Sequence, residues 1–225
     1  MADRIDLVIF DCDGVLVDSE PIALDLLRRT LRDDGLDLPT GAVRDAFQGR
    51  SLASVPVIAD ERFGHRVDAA RLERMQDVLL TRFTAELRPV AGMGDVVDTL
   101  TVPVCVASSS STRRLAHSLD VTGFASQFGD AVFSADLVAR GKPAPDLFLH
   151  AARVMGVSPK RCIVIEDSTA GIEAAVAAGM TAIGFAGGGH ATREGYGHGL
   201  TLAGADTVAA DAQALAGVLR TVLRE

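Results

Sequence analysis

The stretch Ile5-Asp6-Leu7-Val8-Ile9-Phe10-Asp11-Cys12-Asp13-Gly14 decides the fold. Its apolar run is interrupted only by Asp6 and stops abruptly in a polar, turn-forming tail. Short continuous apolar runs of this kind read as buried strands of a parallel sheet, and the tail reads as the loop leaving the strand. The same pattern recurs twice. Val102 to Ala107 ends in Ser108-Ser109-Ser110-Ser111, and Cys162 to Ile165 ends in Glu166-Asp167-Ser168. Shorter strand candidates are Ala131 to Phe133, Thr181 to Gly184 and Thr207 to Ala209.

Helical patterns alternate with these strands. Leu115 and Leu119 mark one helix. A second starts near Pro145 and carries Phe148, Ala151, Ala152 and Met155. A third, Thr169 to Ala178, stops at Gly179, and the last carries Leu215, Val218, Leu219, Val222 and Leu223. Strand–helix alternation of this kind predicts a parallel sheet with helices on both faces. The stretch from Pro21 to Leu87 breaks the rhythm. It holds two amphipathic helical stripes, Ile22 to Leu31 and Leu72 to Leu87, and no buried strand, so a small helical insertion is expected there. Gly187 to Gly199 is glycine-rich and is expected to be a mobile loop.

Composition narrows the classes. The 225 residues are 48% hydrophobic, enough for a full core. A net charge of -8 argues against nucleic acid or an anionic membrane as the main partner. It leaves an anionic small substrate open, because a local cation outweighs a distant excess charge. Cys12, Cys105 and Cys162 are widely spaced and read as buried apolar residues of a reducing compartment. No leader-like basic and apolar N-terminal pattern and no apolar run of membrane length is present, so a cytoplasmic location is expected. A monomer is expected.

The three polar clusters each follow a strand. In an open parallel sheet, ligands bind outside the carboxyl ends of the strands, so the clusters converge on one site although they span more than half the chain. Asp11, Asp13, Glu166 and Asp167 then crowd together. Each like-charge pair at about 4 Å costs on the order of 4 kcal/mol at an effective dielectric near 20. A cation must offset this, and oxygen-only donors favour Mg²⁺ over zinc. Lys142, in Gly141-Lys142-Pro143, supplies a fixed charge, and Ser108 with the amides after it suits a phosphate.

These four segments resemble, in order and spacing, the four motifs of the haloacid dehalogenase-like (HAD) hydrolase superfamily. They are Asp11-Cys12-Asp13-Gly14-Val15-Leu16-Val17-Asp18-Ser19-Glu20, Ser108 in Val-Ala-Ser-Ser-Ser, Lys142 in Gly-Lys-Pro-Ala-Pro-Asp, and Glu166-Asp167-Ser168 with Ala170-Gly171-Ile172. The resemblance implies an α/β, Rossmann-like three-layer core with a parallel sheet (residues 1–17 and 88–225). It also implies an inserted α-helical cap domain (residues 18–87), as in the branch of β-phosphoglucomutase and small sugar-phosphate phosphatases. It implies Asp11 as nucleophile forming an aspartyl-phosphate and Asp13 as general acid, then base. Mg²⁺ would be held by Asp11, the Asp13 carbonyl and Asp167, with Glu166 direct or in the outer shell. Ser108, Ser109 and Lys142 would bind the phosphoryl group, and the cap would close over substrate.

Some residues have two readings. Arg50, in Gly49-Arg50-Ser51, contacts substrate or only solvates a helix end, and Glu20 faces the cleft or solvent. Glu166 is a metal ligand or a hydrogen-bonded partner of Lys142. Arg113 and Arg114 read as a surface helix start, Cys12 as core, and His190 and His198 as loop residues outside any metal site. The function expected is Mg²⁺-dependent hydrolysis of a small phosphorylated metabolite, a sugar or sugar-acid phosphate. The nearest alternative is a mutase-like phosphotransferase. Mutases of this branch carry an arginine after the Gly-x-Ser of the cap, where this chain has Leu52, and a lysine where it has Ser111. Dehalogenases lack the second aspartate, present here as Asp13. A non-catalytic metabolite-binding protein is the remote alternative.

Overall fold

Six short apolar segments become the six strands of one parallel sheet in the computed structural model, which describes residues 4–48, 50, 52–191 and 195–223, Ala53 by its backbone only. Gly49 and Ser51 of the cap segment singled out above lie outside the described residues. In chain order, β1 (Leu7–Phe10) is followed by α1 (Glu20–Asp33), α2 (Thr40–Phe47), α3 (Val55–Phe63) and α4 (Ala69–Glu86). Then come α5 (Met93–Asp98), β2 (Val104–Ser108), α6 (Thr112–Thr122), α7 (Ala125–Phe128), β3 (Val132–Ser134) and α8 (Asp146–Val154). The chain closes with β4 (Cys162–Glu166), α9 (Thr169–Ala177), β5 (Thr181–Phe185), α10 (Tyr196–Leu202), β6 (Thr207–Ala209) and α11 (Ala212–Val222).

The strand order is β3-β2-β1-β4-β5-β6, all parallel. The chain first builds outward from β1 to β3, then returns to the other side of β1 and builds to β6. The order therefore reverses between β1 and β4, the position where such sheets open a crevice at their carboxyl edge. The register pairs Phe10 with Val106 on one side and with Ile165 on the other, so Asp11, Ala107 and Glu166 emerge side by side.

Alternation of side chains across the pleat explains why these strands are apolar throughout. Leu7, Ile9, Cys105, Ala107, Cys162 and Val164 share one buried cluster with Leu147, Phe148 and Ala151 of α8 and Ile172, Ala174 and Ala175 of α9. Phe10 faces the other way and meets Phe128 of α7 edge-on, with ring centroids 6.0 Å apart. Helices thus cover both faces, giving the three-layer Rossmann-like α/β core. One expectation fails here. The last part of the glycine-rich segment expected to be a mobile loop opens a helix (α10), and Leu200 of that helix, just past the segment, is buried in the core. Glycines 197 and 199 obscure its helical periodicity, because tertiary packing overrides weak helix propensity.

By density of internal contact the chain divides into Met1–Asp18 with Arg88–Glu225, and Ser19–Leu87. The second unit is all helical. Helices α1 and α4 pack along the stripes Ile22, Leu26, Leu27, Leu31 and Leu72, Met75, Leu79, Phe83, all buried. The sequence stripes did not reveal α2 or α3, whose apolar faces are short. Asp34, just past α1, ties the unit together. Its carboxylate accepts from His65 Nε2 at 3.0 Å and from the Asp68 amide at 3.3 Å, and pairs with Arg71 at 3.0 Å. Among the described residues no helix is long and apolar enough to cross a membrane.

Burial alone would raise the Asp34 carboxyl pKa. The bonds from His65 and Asp68 and the Arg71 charge outweigh it and hold the carboxyl below its ordinary 3.8. A depressed folded-state pKa means that the stabilisation is present above the ordinary value and is lost as pH falls through the folded one. Asp34→Ala is therefore expected to destabilise the protein by about 1–3 kcal/mol at neutral pH. The difference from wild type should shrink as pH falls below 3.8. Urea unfolding across a pH series measures both.

Candidate functional site

The carboxyl edge of the sheet gathers the polar residues. Asp11 follows β1, its amide bonded to the Ile165 carbonyl of the neighbouring strand at 2.9 Å. Glu166 ends β4 and Asp167 follows it. All three carboxylates are buried, and one oxygen from each lies within 4.8 Å of the others, a group that could hold a metal ion.

Lys142 arrives from the segment between β3 and α8. Its Nζ donates to Asp11 Oδ1 at 2.7 Å, to Glu166 Oε2 at 2.7 Å and to the Ala107 carbonyl at 3.0 Å. Its ammonium also lies 4.8 Å from the centre of the Phe148 ring, a cation–π contact beneath the site. Burial would lower the Lys142 pKa, but the Asp11 and Glu166 charges outweigh it and hold it above the usual lysine range, so the side chain is an ammonium. Asp11 shows the opposite imbalance. Burial first, then the Glu166 charge, push its carboxyl well above the ordinary value despite Lys142. The pocket carries more negative charge than one lysine offsets, and its donors are all oxygens. Both features fit a hard divalent cation.

Glu166 is committed at both oxygens. Oε2 accepts from Lys142, and Oε1 accepts from the Ser168 amide at 3.1 Å and hydroxyl at 2.8 Å. The bond to Lys142 is formed, and Glu166 also belongs to the carboxylate group that could hold a metal ion.

Asp13 is partly buried and is held at both ends. Its Oδ2 accepts from the Ser110 hydroxyl at 2.5 Å and its Oδ1 from Arg114 Nη2 at 2.7 Å. Arg114 was expected to be a surface residue, and the structure corrects this: it reaches the site while Arg113 stays exposed. The signal was available. Helical side chains lean toward the N-terminus, so an arginine in the first turn of α6 covers the loop that precedes it. Ser108 is buried at the end of β2, its hydroxyl accepting from the Ser110 amide at 3.1 Å, whereas Ser109 is exposed. Burial keeps the Cys12 thiol protonated, in keeping with a core role. Arg50, exposed, and Glu20, the first residue of α1, belong to the helical unit.

Two further residues were missed. His190 is buried, its Nε2 2.8 Å from Asp167 Oδ2, and Tyr196 donates its hydroxyl to the Asp167 carbonyl at 2.8 Å. Both lie after β5, a fourth strand end that opens on the same edge because β5 pairs with β4. Gly14 closes the packing. Its φ is +83°, and a Cβ there would overlap the Asp167 carboxylate and lie 2.6 Å from His190 Cε1.

Known proteins resemble this chain along most of its length. A sequence model described as haloacid dehalogenase-like hydrolase matches residues 5–179. The chain is 33% identical to 6-phosphogluconate phosphatase of Escherichia coli K12 over 178 residues, 79% of this chain and 80% of that protein. It is 34% identical to the fructose-1-phosphate phosphatase of the same strain over 190 residues, 81% of this chain and 97% of that one. A solved structure of a conserved haloacid dehalogenase-like protein of unknown function from Agrobacterium tumefaciens superposes with a TM-score of 0.86. It is 38% identical, with 96% of this chain and 98% of that chain covered.

Gly14→Ala tests the packing around Asp167. The left-handed backbone alone is expected to cost about 1–2 kcal/mol. The overlap with Asp167 should add to this, so the thermal midpoint falls, read by calorimetry on the purified variant.

Proposed function

Because the chain belongs to the haloacid dehalogenase-like hydrolases, we propose that it hydrolyses the phosphate monoester of a small metabolite, a sugar or sugar-acid phosphate, with Asp11 as nucleophile and Mg²⁺ as cofactor. The observation that carries this reading is the buried Asp11–Lys142–Glu166 arrangement beside Asp167. It offers a carboxylate nucleophile, a fixed cation and a second carboxylate pair at one sheet edge. The names of the two phosphatase relatives support the substrate class.

The chemistry follows from the residues. Lys142 holds Asp11 by one oxygen and orients it toward an incoming phosphorus. A carboxylate oxygen of Asp11 forms a bond to phosphorus as the bond to the leaving ester oxygen breaks. Asp13, protonated as each turnover begins with the Ser110 hydroxyl turned to accept from it, gives that proton to the leaving oxygen, so the leaving group departs as an alcohol. Arg114 and Ser110, which hold the two Asp13 oxygens, fix the acid in place and stabilise the carboxylate that remains. Asp13 then takes a proton from water as the water attacks phosphorus, which breaks the acyl-phosphate bond and returns Asp11 with inorganic phosphate.

Mg²⁺ would be held by the Asp11 and Asp167 carboxylates and the Asp13 carbonyl. When bound, it supplies the positive charge that lets an anionic carboxylate approach an anionic phosphate. Lys142 adds a second positive charge on the same group. Glu166 keeps Lys142 in reach of Asp11.

The test is phosphate release from a panel of sugar phosphates, sugar-acid phosphates, phosphoglycolate and nucleotides, with Mg²⁺ or with EDTA. Asp11→Asn should lower kcat on the order of 10⁴-fold or more. Lys142→Met should lower it by roughly 10²–10³-fold, as expected for loss of one charged donor to the transferring group. EDTA should abolish turnover of every ester. Release that survives in Asp11→Asn would overturn the nucleophile. Conversion of β-glucose 1-phosphate with a bisphosphate primer, with no release from any ester, would make the chain a phosphotransferase.

A further inference from the structure

We infer that His190 is a positioning residue for Asp167, and that through this carboxylate it raises the affinity of the site for a divalent cation. The inference rests on the metal site proposed above.

The hydrogen positions follow from chemistry. The Asp167 carbonyl can only accept, so the Tyr196 hydroxyl, 2.8 Å away, commits its one hydrogen there. Toward His190 Nε2, at 2.9 Å, the hydroxyl oxygen is left to accept. Nε2 therefore carries a hydrogen, which it offers to the Tyr196 oxygen, and the same nitrogen lies 2.8 Å from Asp167 Oδ2, where that polar N–H faces the carboxylate. One short segment thus holds Asp167 at two points, by its carboxylate through His190 and by its backbone carbonyl through Tyr196. The two rings meet edge-on with centroids 5.4 Å apart, which limits rotation of the imidazole.

The loop that carries His190 is itself anchored. The Gly189 amide donates to Asp18 Oδ1 at 3.1 Å. Gly188 lies so close to the Gly14 carbonyl that a Cβ there would stand 2.6 Å from it. His190 thus sits on a backbone pinned to the same loop that presents Asp11 and Asp13. It is buried, so water does not compete for its contact with Asp167. A carboxylate that is aimed before a cation arrives loses less rotational freedom on binding. Partners of this kind, one step out from the ligands, typically contribute 10–100-fold in metal affinity.

The experiment uses the full chain with Mg²⁺ as probe, in wild type, His190→Met and His190→Gln. Methionine keeps bulk and removes the donor, while glutamine keeps a donor. Calorimetry gives the Mg²⁺ Kd directly. The chain has no tryptophan and one tyrosine, so tyrosine emission reports on Tyr196 beside the site. The expected result is a Kd for Mg²⁺ weaker by roughly 10–100-fold in His190→Met. The Mg²⁺ concentration for half-maximal rate should rise by the same factor, and kcat at saturating Mg²⁺ should fall by less. His190→Gln should recover part of the affinity. A wild-type Kd in His190→Met, with normal binding by wild type, would overturn this inference alone. So would equal loss in both variants with a lowered melting temperature, since that marks a packing role. Absence of Mg²⁺ binding by wild type would overturn the metal site and the inference with it.

Discussion

The rest of the site depends on one ion pairing, the Lys142 ammonium set between Asp11 and Glu166. Three carboxylates are buried at the ends of two adjacent strands, and burial makes each negative charge costly unless it is paired. The Lys142 side chain is buried with them, and its placement follows from that. It donates three hydrogen bonds, to two carboxylates and a strand carbonyl, and rests against the Phe148 ring. An ammonium has three hydrogens, so this environment satisfies it fully. The residual negative charge belongs to a carboxylate group that could hold a further cation.

This pairing also separates two aspartates that sit two residues apart. Asp11 lies in the charged interior against Lys142, and its carboxyl is pushed up by burial and by Glu166. Asp13 lies toward the start of α6, held by the Ser110 hydroxyl and Arg114. Carboxylates in such different surroundings are compatible with the two tasks proposed for them, one to attack and one to move a proton. The sheet topology makes the division possible. The strand order reverses beside β1, so its terminal loop is flanked by β2 and β4 at once and draws partners from both.

The outer residues of the site form a connected frame. Ser168 fixes the second oxygen of Glu166, and Glu166 fixes Lys142. Gly14 makes room for the Asp167 carboxylate, and His190 and Tyr196 hold it. These residues come from separate stretches of the chain. Their shared feature is contact with a group that must keep its orientation in a low-dielectric pocket, where a misplaced charge is costly.

The sequence by itself determined the strands, their parallel arrangement and the helical insertion. Burial on both faces demands continuous apolar runs, and those are visible without coordinates. It also marked Asp11, Asp13, Glu166 and Asp167 by their place at or just past strand ends, and Lys142 by the resemblance of Gly141-Lys142-Pro143 to the family's third motif. Only the tertiary structure decided which partners those residues have. Arg114 looked like a surface residue of a helix start, and α10 was hidden by its glycines. His190 and Tyr196 sat in what read as a loose glycine-rich loop. Their bonds to Asp13 and Asp167 span about 101 and 29 positions of chain. Local pattern reports burial and turn geometry, whereas contacts at such separations exist only once the sheet has brought its strand ends together.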